Sequence, residues 1–335
     1  MNCSLIPKNL DDFIINRDIA LSLKGITVDN ITNILIYGRL NTGRKTLMYA
    51  FLNYINNCDV YKLRTLNSAE LKIGNNKVNI DYISTPYHIE INLYEYGLYD
   101  KNIINDFLIE HIKYKVINNI QYKFIVINHF DYISKESQVS LKLLLDKCHD
   151  NVRFIFIANN ITKIENSIMS RISSIRIPVQ KKEVIKKYVD HISNTQYKIS
   201  QVHRKLIIQQ SNSDLFLINN AIICFHYNKK LEFSQIDSIE KYINEIVVLI
   251  NTPDLKSVLK IRQVCYNLLL INITVPEILK KIYRKFLDSN KISEKIKMNI
   301  INIIVGIEAR MCYIEHDLIC LEFFALKVKK LLLHK

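Results

Sequence analysis

The sequence predicts an α/β fold on a parallel sheet, followed by a region made of helices alone. Three observations carry this. Short apolar runs of strand length recur between helix-length amphipathic segments as far as Pro178. One of those runs ends in a glycine-bracketed loop that opens a helix. Beyond Pro178 the strand signals fade and helical periodicity takes over.

The elements follow in order. Ile34 to Tyr37 reads as a short buried strand, and Lys45 to Tyr54 as the helix opened by the loop between them. Lys77 to Ile83 and His88 to Leu93 alternate like the two arms of a hairpin. Asn102 to Val116 is an amphipathic helix. Phe124 to Asn128 and Arg153 to Ala158 are two more buried strands, and Ile175-Arg176-Ile177-Pro178 is a last strand closed by proline. Helices are then expected at Lys181 to Ser193, Ser200 to Gln210 and Asp214 to Tyr227. A charged connector, Lys229 to Ser238, leads to a third region. There Thr252-Pro253-Asp254 is a capped helix start before Leu255, Val258 and Leu259, because proline fits a first helical turn. Helices at Glu277 to Asp288, Ser293 to Ile314 and Asp317 to Leu333 complete the chain. The expected organisation is an α/β domain over 1–178, a helical lid over 179–233 and a helical bundle over 234–335.

Composition narrows the function. Hydrophobic residues make up 49% of the 335, with only 6 Gly and 5 Pro, as in a folded, helix-rich protein with short loops. The formal net charge of +14 suits work near polyanions. Ile, Asn, Lys and Tyr abound along the whole chain, so compositional bias supplies part of that basicity. The 7 cysteines form no CxxC and no metal-binding spacing with histidine, which points to free thiols in a reducing compartment. No signal-peptide pattern heads the sequence. Charged or amide residues interrupt every apolar stretch before membrane-spanning length, so a soluble intracellular protein is expected.

The chemistry concentrates in Gly38-Arg39-Leu40-Asn41-Thr42-Gly43-Arg44-Lys45-Thr46. A strand entering G-x-x-x-x-G and then a helix supplies backbone N–H groups and a helix N-terminus, an anion cradle suited to phosphates. Its chemical ends are altered. Arg44 stands where the phosphate-gripping lysine belongs, and Lys45 where a hydroxyl would hold Mg²⁺. The strand Phe124-Ile125-Val126-Ile127 should end in Asp-Glu to hold the metal and polarise water. It ends instead in Asn128-His129-Phe130-Asp131. With neither carboxylate in place, Mg²⁺ lacks its holders and hydrolysis should be very slow. His129 reads as a packing or capping residue. Asn159 ends the next strand, where a polar group could sense a γ-phosphate or simply make a turn. Arg171, in Ser170-Arg171-Ile172, precedes the last strand. In itself it could be a surface ion-pairing residue.

Taken together, these motifs resemble a small subunit of replication factor C, the eukaryotic clamp loader of the AAA+ class. The loop strand, the second strand, the polar sensor and Ser-Arg come in the family's order and spacing, although Ile172 replaces the family's cysteine. Gly43-Arg44-Lys45-Thr46 is similar to the G-K-K-T loop of the member with a degenerate ATP site. Two further stretches match: Tyr87-His88-Ile89-Glu90-Ile91-Asn92, and the helix Ser137-Gln138-Val139-Ser140-Leu141-Lys142-Leu143-Leu144-Leu145-Asp146-Lys147. Glu308 to Leu331 resembles the last collar helices. The amino-terminal adenine-holding segment shrinks to Cys3-Ser4-Leu5-Ile6-Pro7, and the lid's second-sensor arginine falls at Phe216.

The resemblance implies an AAA+ P-loop domain, a lid and a collar. It implies a non-catalytic subunit of a heteropentamer that loads a PCNA-type sliding clamp onto primer–template DNA in the nucleus, in replication and repair. By the same analogy the chain could be shared with alternative, checkpoint loaders. The residues implied for the nucleotide are Gly38, Asn41, Thr42, Gly43, Arg44, Lys45, Thr46, Asn128 and Asn159, with ATP or ADP bound without hydrolysis. Arg171 would act in trans on a neighbour's ATP. Lys135, Gln138 and Lys142, at i, i+3, i+7 spacing, would meet DNA phosphates. The alternatives are a stand-alone P-loop ATPase using Lys45, and a scaffold that holds no nucleotide.

Overall fold

The computed structural model describes residues 5–27, 30–73, 76–113, 122–147, 152–211, 213–227, 238–253, 257–271, 275–289, 293–310 and 317–333. They belong to two compact units, Met1–His226 and Tyr227–Lys335.

The first unit is built on one sheet. Its strands are β1 (Ile34–Gly38), β2 (Thr65–Ile73), β3 (Asn76–Ser84), β4 (His88–Ile91), β5 (Lys123–Ile127), β6 (Val152–Ala158) and β7 (Ser173–Ile177). They lie in the order β2-β3-β4-β5-β6-β1-β7. From β4 to β7 every pairing is parallel. The hairpin expected at Lys77 to Ile83 and His88 to Leu93 is the antiparallel pair of β3 and β4. The long strand β2, which extends that hairpin outward, has no counterpart in the sequence reading.

Both faces of the parallel sheet are covered, and alternation along each strand shows it. On β5, Phe124 and Val126 join one core while Ile125 and Ile127 join the other. The first core also takes side chains from α1 (Arg17–Lys24) and α2 (Arg44–Asn56). The second takes them from α3 (Asp100–Ile103), α4 (Ile109–Lys113), α5 (Lys135–Lys147) and α6 (Asn166–Met169). The helix expected from Asn102 is α3 and α4 joined through a π-helical turn, Ile104–Leu108. Its expected continuation past Lys113 lies outside the described residues. Helix α2 is buried almost all round, from Leu47 to Asn53, because it runs beneath the loop and over the sheet.

Three lid helices follow: α7 (Lys182–Thr195), α8 (Gln201–Gln210) and α9 (Leu215–Tyr227). They cluster with the α/β domain and not as a separate unit. The two units divide between His226 and Tyr227, and the expected boundary after Phe233 lies outside the described residues. The second unit is all helix: α10 (Ser238–Asn251), α11 (Ser257–Leu270), α12 (Val275–Leu287), α13 (Glu294–Glu308) and α14 (Asp317–Leu333). Its own core runs through Ile246, Leu268, Ile282, Ile304 and Phe324. The expected connector from Lys229, the helix start at Asp254 and the end of the Ser293 helix at Ile314 lie outside the described residues. Among those residues no helix is long and apolar enough to cross a membrane.

Candidate nucleotide-binding site

The site forms at the carboxyl ends of β1, β5 and β6, at the switch point of the strand order, where ligands of open α/β sheets bind. Glycine is required at both ends of the loop. At Gly38 φ is +155° and an added Cβ would collide with the Ile177 carbonyl oxygen of β7. Gly43, the N-cap of α2, has φ +91°. Asn41 also takes a left-handed conformation, with φ +59°. Thr42 closes the loop from within, its Oγ1 donating to the Arg39 carbonyl at 2.7 Å.

The lid binds this loop directly. Asn41 Nδ2 donates to Asp214 Oδ2 at 2.9 Å, and the Leu215 N–H donates to the Asn41 carbonyl at 3.1 Å. Asp214 also caps α9 by accepting the Leu217 N–H at 3.0 Å. One carboxylate thus fixes both the lid helix and the loop. Phe216, at the second-sensor position, is half exposed.

The two altered cations have each found a protein partner. Arg44 is buried and donates to the Ala158 carbonyl at the end of β6. Burial lowers its pKa, partly offset by the field of Asp131. Asp131 accepts the N–H of Asn159 at 3.0 Å and of Asn160 at 3.3 Å, which ties the end of β6 to the turn after β5. Lys45, exposed on the first turn of α2, reaches Glu90 of β4 with its Nζ 2.5 Å from Oε1.

Glu90 is the residue that sequence reasoning missed as a site residue. Its side chain is 2% exposed. Oε1 also accepts Asn128 Nδ2 at 2.6 Å, and Oε2 accepts the Tyr49 hydroxyl. Burial alone would raise its pKa, but Lys45, Tyr49 and Asn128 more than offset that and hold it below the ordinary carboxylate range. Tyr49 answers in the opposite direction: burial and the adjacent Glu90 charge push its hydroxyl well up. Arg64 lies over the Tyr49 ring, 5.1 Å from its centroid, and over Tyr61 at 4.7 Å. The only sequence signal for Glu90 was a lone carboxylate in an otherwise apolar strand, His88-Ile89-Glu90-Ile91.

Two buried acceptor atoms at the strand ends, Asn128 Oδ1 and Asn159 Oδ1, have no hydrogen-bond partner among the described residues. They face the ordinary requirement that such groups be satisfied, which a bound molecule or water can meet. As acceptors they call for a donor such as water, while the cradle's backbone N–H groups fit a nucleotide's phosphates. The same residues do not fit Mg²⁺. Its hydroxyl ligand is replaced by the Lys45 ammonium, and the end of β5 offers an amide and an imidazole, neither of which is a hard anionic donor. Among the described residues no group of three or more His, Cys, Asp or Glu could hold a metal. His129 adopts φ +52° ahead of a short 3₁₀ turn, and burial and the Arg44 charge lower its pKa.

The other expected site residues lie elsewhere. Gln138 has to be withdrawn as a DNA contact. It is 1% exposed, and its amide donates to the Lys163 carbonyl at 3.1 Å and accepts the Glu165 N–H at 2.9 Å. It packs α5 against the turn after β6, whereas Lys135 is exposed and Lys142 half-buried. Arg171 is exposed and grips Asp146 of α5 with two hydrogen bonds, Nε–Oδ1 at 2.5 Å and Nη2–Oδ2 at 3.2 Å. It also donates to the Ser167 carbonyl at 2.7 Å. The local partner is therefore Asp146.

A parallel sheet of this order, a P-loop at its switch point and an appended helical lid define a P-loop protein of the AAA+ type. A Thermotoga maritima DNA polymerase III gamma subunit-related protein has the same fold: TM-score 0.52 and 11% identity, over 92% of this chain and 98% of that one. No protein-family model matches the sequence. Curated relatives match along its length. Replication factor C subunit 3 of Arabidopsis thaliana is 27% identical over 338 residues, 96% of this chain and 94% of that one. A putative replication factor C small subunit of Acanthamoeba polyphaga mimivirus is 26% identical over 95% of this chain and 87% of its own. Replication factor C subunit 5 of Saccharomyces cerevisiae is 25% identical over 96% of both. The chain is a homologue of the small subunits of replication factor C.

Proposed function

We propose that this chain is a non-catalytic small subunit of a replication factor C-type clamp loader. In that reading it occupies one place in a heteropentamer that uses ATP, bound elsewhere in the assembly, to set a PCNA-type sliding clamp on primer–template DNA in the nucleus, in replication and repair. The observation that carries the non-catalytic part is the pairing of Lys45 with Glu90 at the end of a strand that offers Asn128 and His129. A hydrolytic site needs a carboxylate free to polarise water. Here the buried carboxylate that meets Lys45, Glu90, is saturated by Lys45, Asn128 and Tyr49, and the other beside the loop, Asp131, is held by the Asn159 and Asn160 N–H groups. Arg171 would serve the ATP of the adjacent subunit, and the α/β domain would meet DNA phosphates through Lys135 and Lys142.

The test is co-expression with the other loader subunits. Recovery of a stoichiometric pentamer that loads clamps, with no turnover by the isolated chain, is the expected result. A purified chain that stays monomeric in that mixture and hydrolyses ATP at about 1 s⁻¹, an ordinary enzyme rate, would replace this reading with a stand-alone ATPase.

A further inference from the structure

The misfit to Mg²⁺ has a chemical counterpart within the site. Lys45 stands at the first-turn position whose hydroxyl would ligate the metal, and its ammonium is directed at β4 by a carboxylate from a strand that does not carry the family's metal-binding acids. The same Glu90 oxygen that receives Lys45 receives Asn128, the residue at the other expected metal-ligand position. The three groups therefore converge where a divalent cation would be held, and a cation is already there. An ammonium has three donors, and among the described residues Glu90 engages one of them.

We infer that the Lys45 ammonium, positioned by Glu90, takes the place of Mg²⁺, so that this pocket binds a nucleoside diphosphate or triphosphate without a divalent cation. The inference rests on the reading that the pocket holds nucleotide, and it assigns Glu90 as a positioning residue. A lysine side chain on Glu90 cannot exchange with solvent as a hydrated metal does, so the occupied site is insensitive to chelators. The buried amide oxygen of Asn128, unpartnered among the described residues, faces the same convergence and is left for a water or a ligand donor.

The experiment is calorimetric titration of ADP and of ATP into the purified chain, once with excess EDTA and once with millimolar MgCl₂. The expected result is the same Kd in both, within about twofold, which corresponds to less than ~0.5 kcal/mol. Lys45→Thr restores the hydroxyl and should make binding metal-dependent, weakening it at least about tenfold in EDTA relative to Mg²⁺. Glu90→Gln keeps the hydrogen bonds to Tyr49 and Asn128 but loosens Lys45, and should weaken both conditions alike. Thermal melting of each variant shows whether it folds. Wild-type binding that appears only with Mg²⁺ overturns the inference and leaves the nucleotide reading intact. Absence of binding under either condition overturns both, while pentamer assembly remains a separate measurement.

Discussion

Arg171 has a local partner in this chain and, in the proposed function, a remote one. In the chain alone its guanidinium is held by Asp146 on α5, and this pairing raises its pKa further. Both groups are largely solvated, so the pair holds the side chain weakly and can be exchanged for a better anion. A phosphate presented by a neighbouring subunit is such an anion. Arg171→Ala should therefore leave folding and assembly intact while reducing the DNA- and clamp-stimulated ATPase of the reconstituted complex. Asp146→Asn should not reduce it, because only the resting partner is lost. Equal losses in both variants would mean that the pair acts as a local brace and that Arg171 has no role in trans.

At the scale of elements, β4 decides the interior of the site. It carries His88, Ile89, Glu90 and Ile91, all buried; Glu90 is satisfied within the protein, whereas His88 Nε2 has no hydrogen-bond partner among the described residues. His88 Nδ1 lies 2.8 Å from Thr85 Oγ1, and its ring meets Tyr49 edge-on at 5.9 Å. Burial pushes its pKa down to about 4, with Glu90 opposing and Arg64 adding to the effect. The folded state therefore refuses a proton that the unfolded chain accepts below about pH 6.5. Stability should fall as pH drops from about 6.5 to about 4, by up to about 3 kcal/mol, and level off below the folded value. Glu90 titrates in a lower window. Its depressed pKa gives stability that is present above the ordinary carboxylate value and lost only as pH falls through its folded one. Urea unfolding of wild type and His88→Gln at neutral and mildly acidic pH separates the two, since the variant should lose the upper dependence. An identical slope in both proteins would place the titration elsewhere.

The same strand marks how far the sequence could be read. The loop, β1, β5 and β6 were legible because buried parallel strands are continuous apolar runs and the glycines punctuate the loop; β7, mostly exposed, was legible from Ile175 and Ile177 closed by Pro178. Strand β2 was not, because it stands at the sheet edge and touches the core only through the half-buried Ala69 and Leu71. Its sequence Thr65-Leu66-Asn67-Ser68-Ala69-Glu70-Leu71-Lys72-Ile73 is mostly exposed, Leu66 to 84%. Gln138 was misplaced because helical spacing groups residues on one side without saying which side is buried. Glu90 was visible as an oddity but not as a site residue, since nothing local shows that the neighbour of β5 will deliver a carboxylate to the first turn of α2. Pairing between strands distant in sequence carries that information.

At the scale of the molecule, the hydrophobic cores fall cleanly between the two units. Both cores that flank the sheet lie within Met1–His226, and the helical core lies within Tyr227–Lys335. A core of its own is the condition for a cooperative unit, so the chain should unfold in two steps. Leu268 and Leu141 are each fully buried, one in each unit. Truncation to alanine leaves a cavity and costs about 2–5 kcal/mol of the unit that contains it. Differential scanning calorimetry should therefore show two transitions in the wild-type chain. Leu268→Ala should lower one of them and Leu141→Ala the other, each with its partner transition in place. If either substitution moves a single common transition, the two units fold as one and the helices of the second draw their stability from the first.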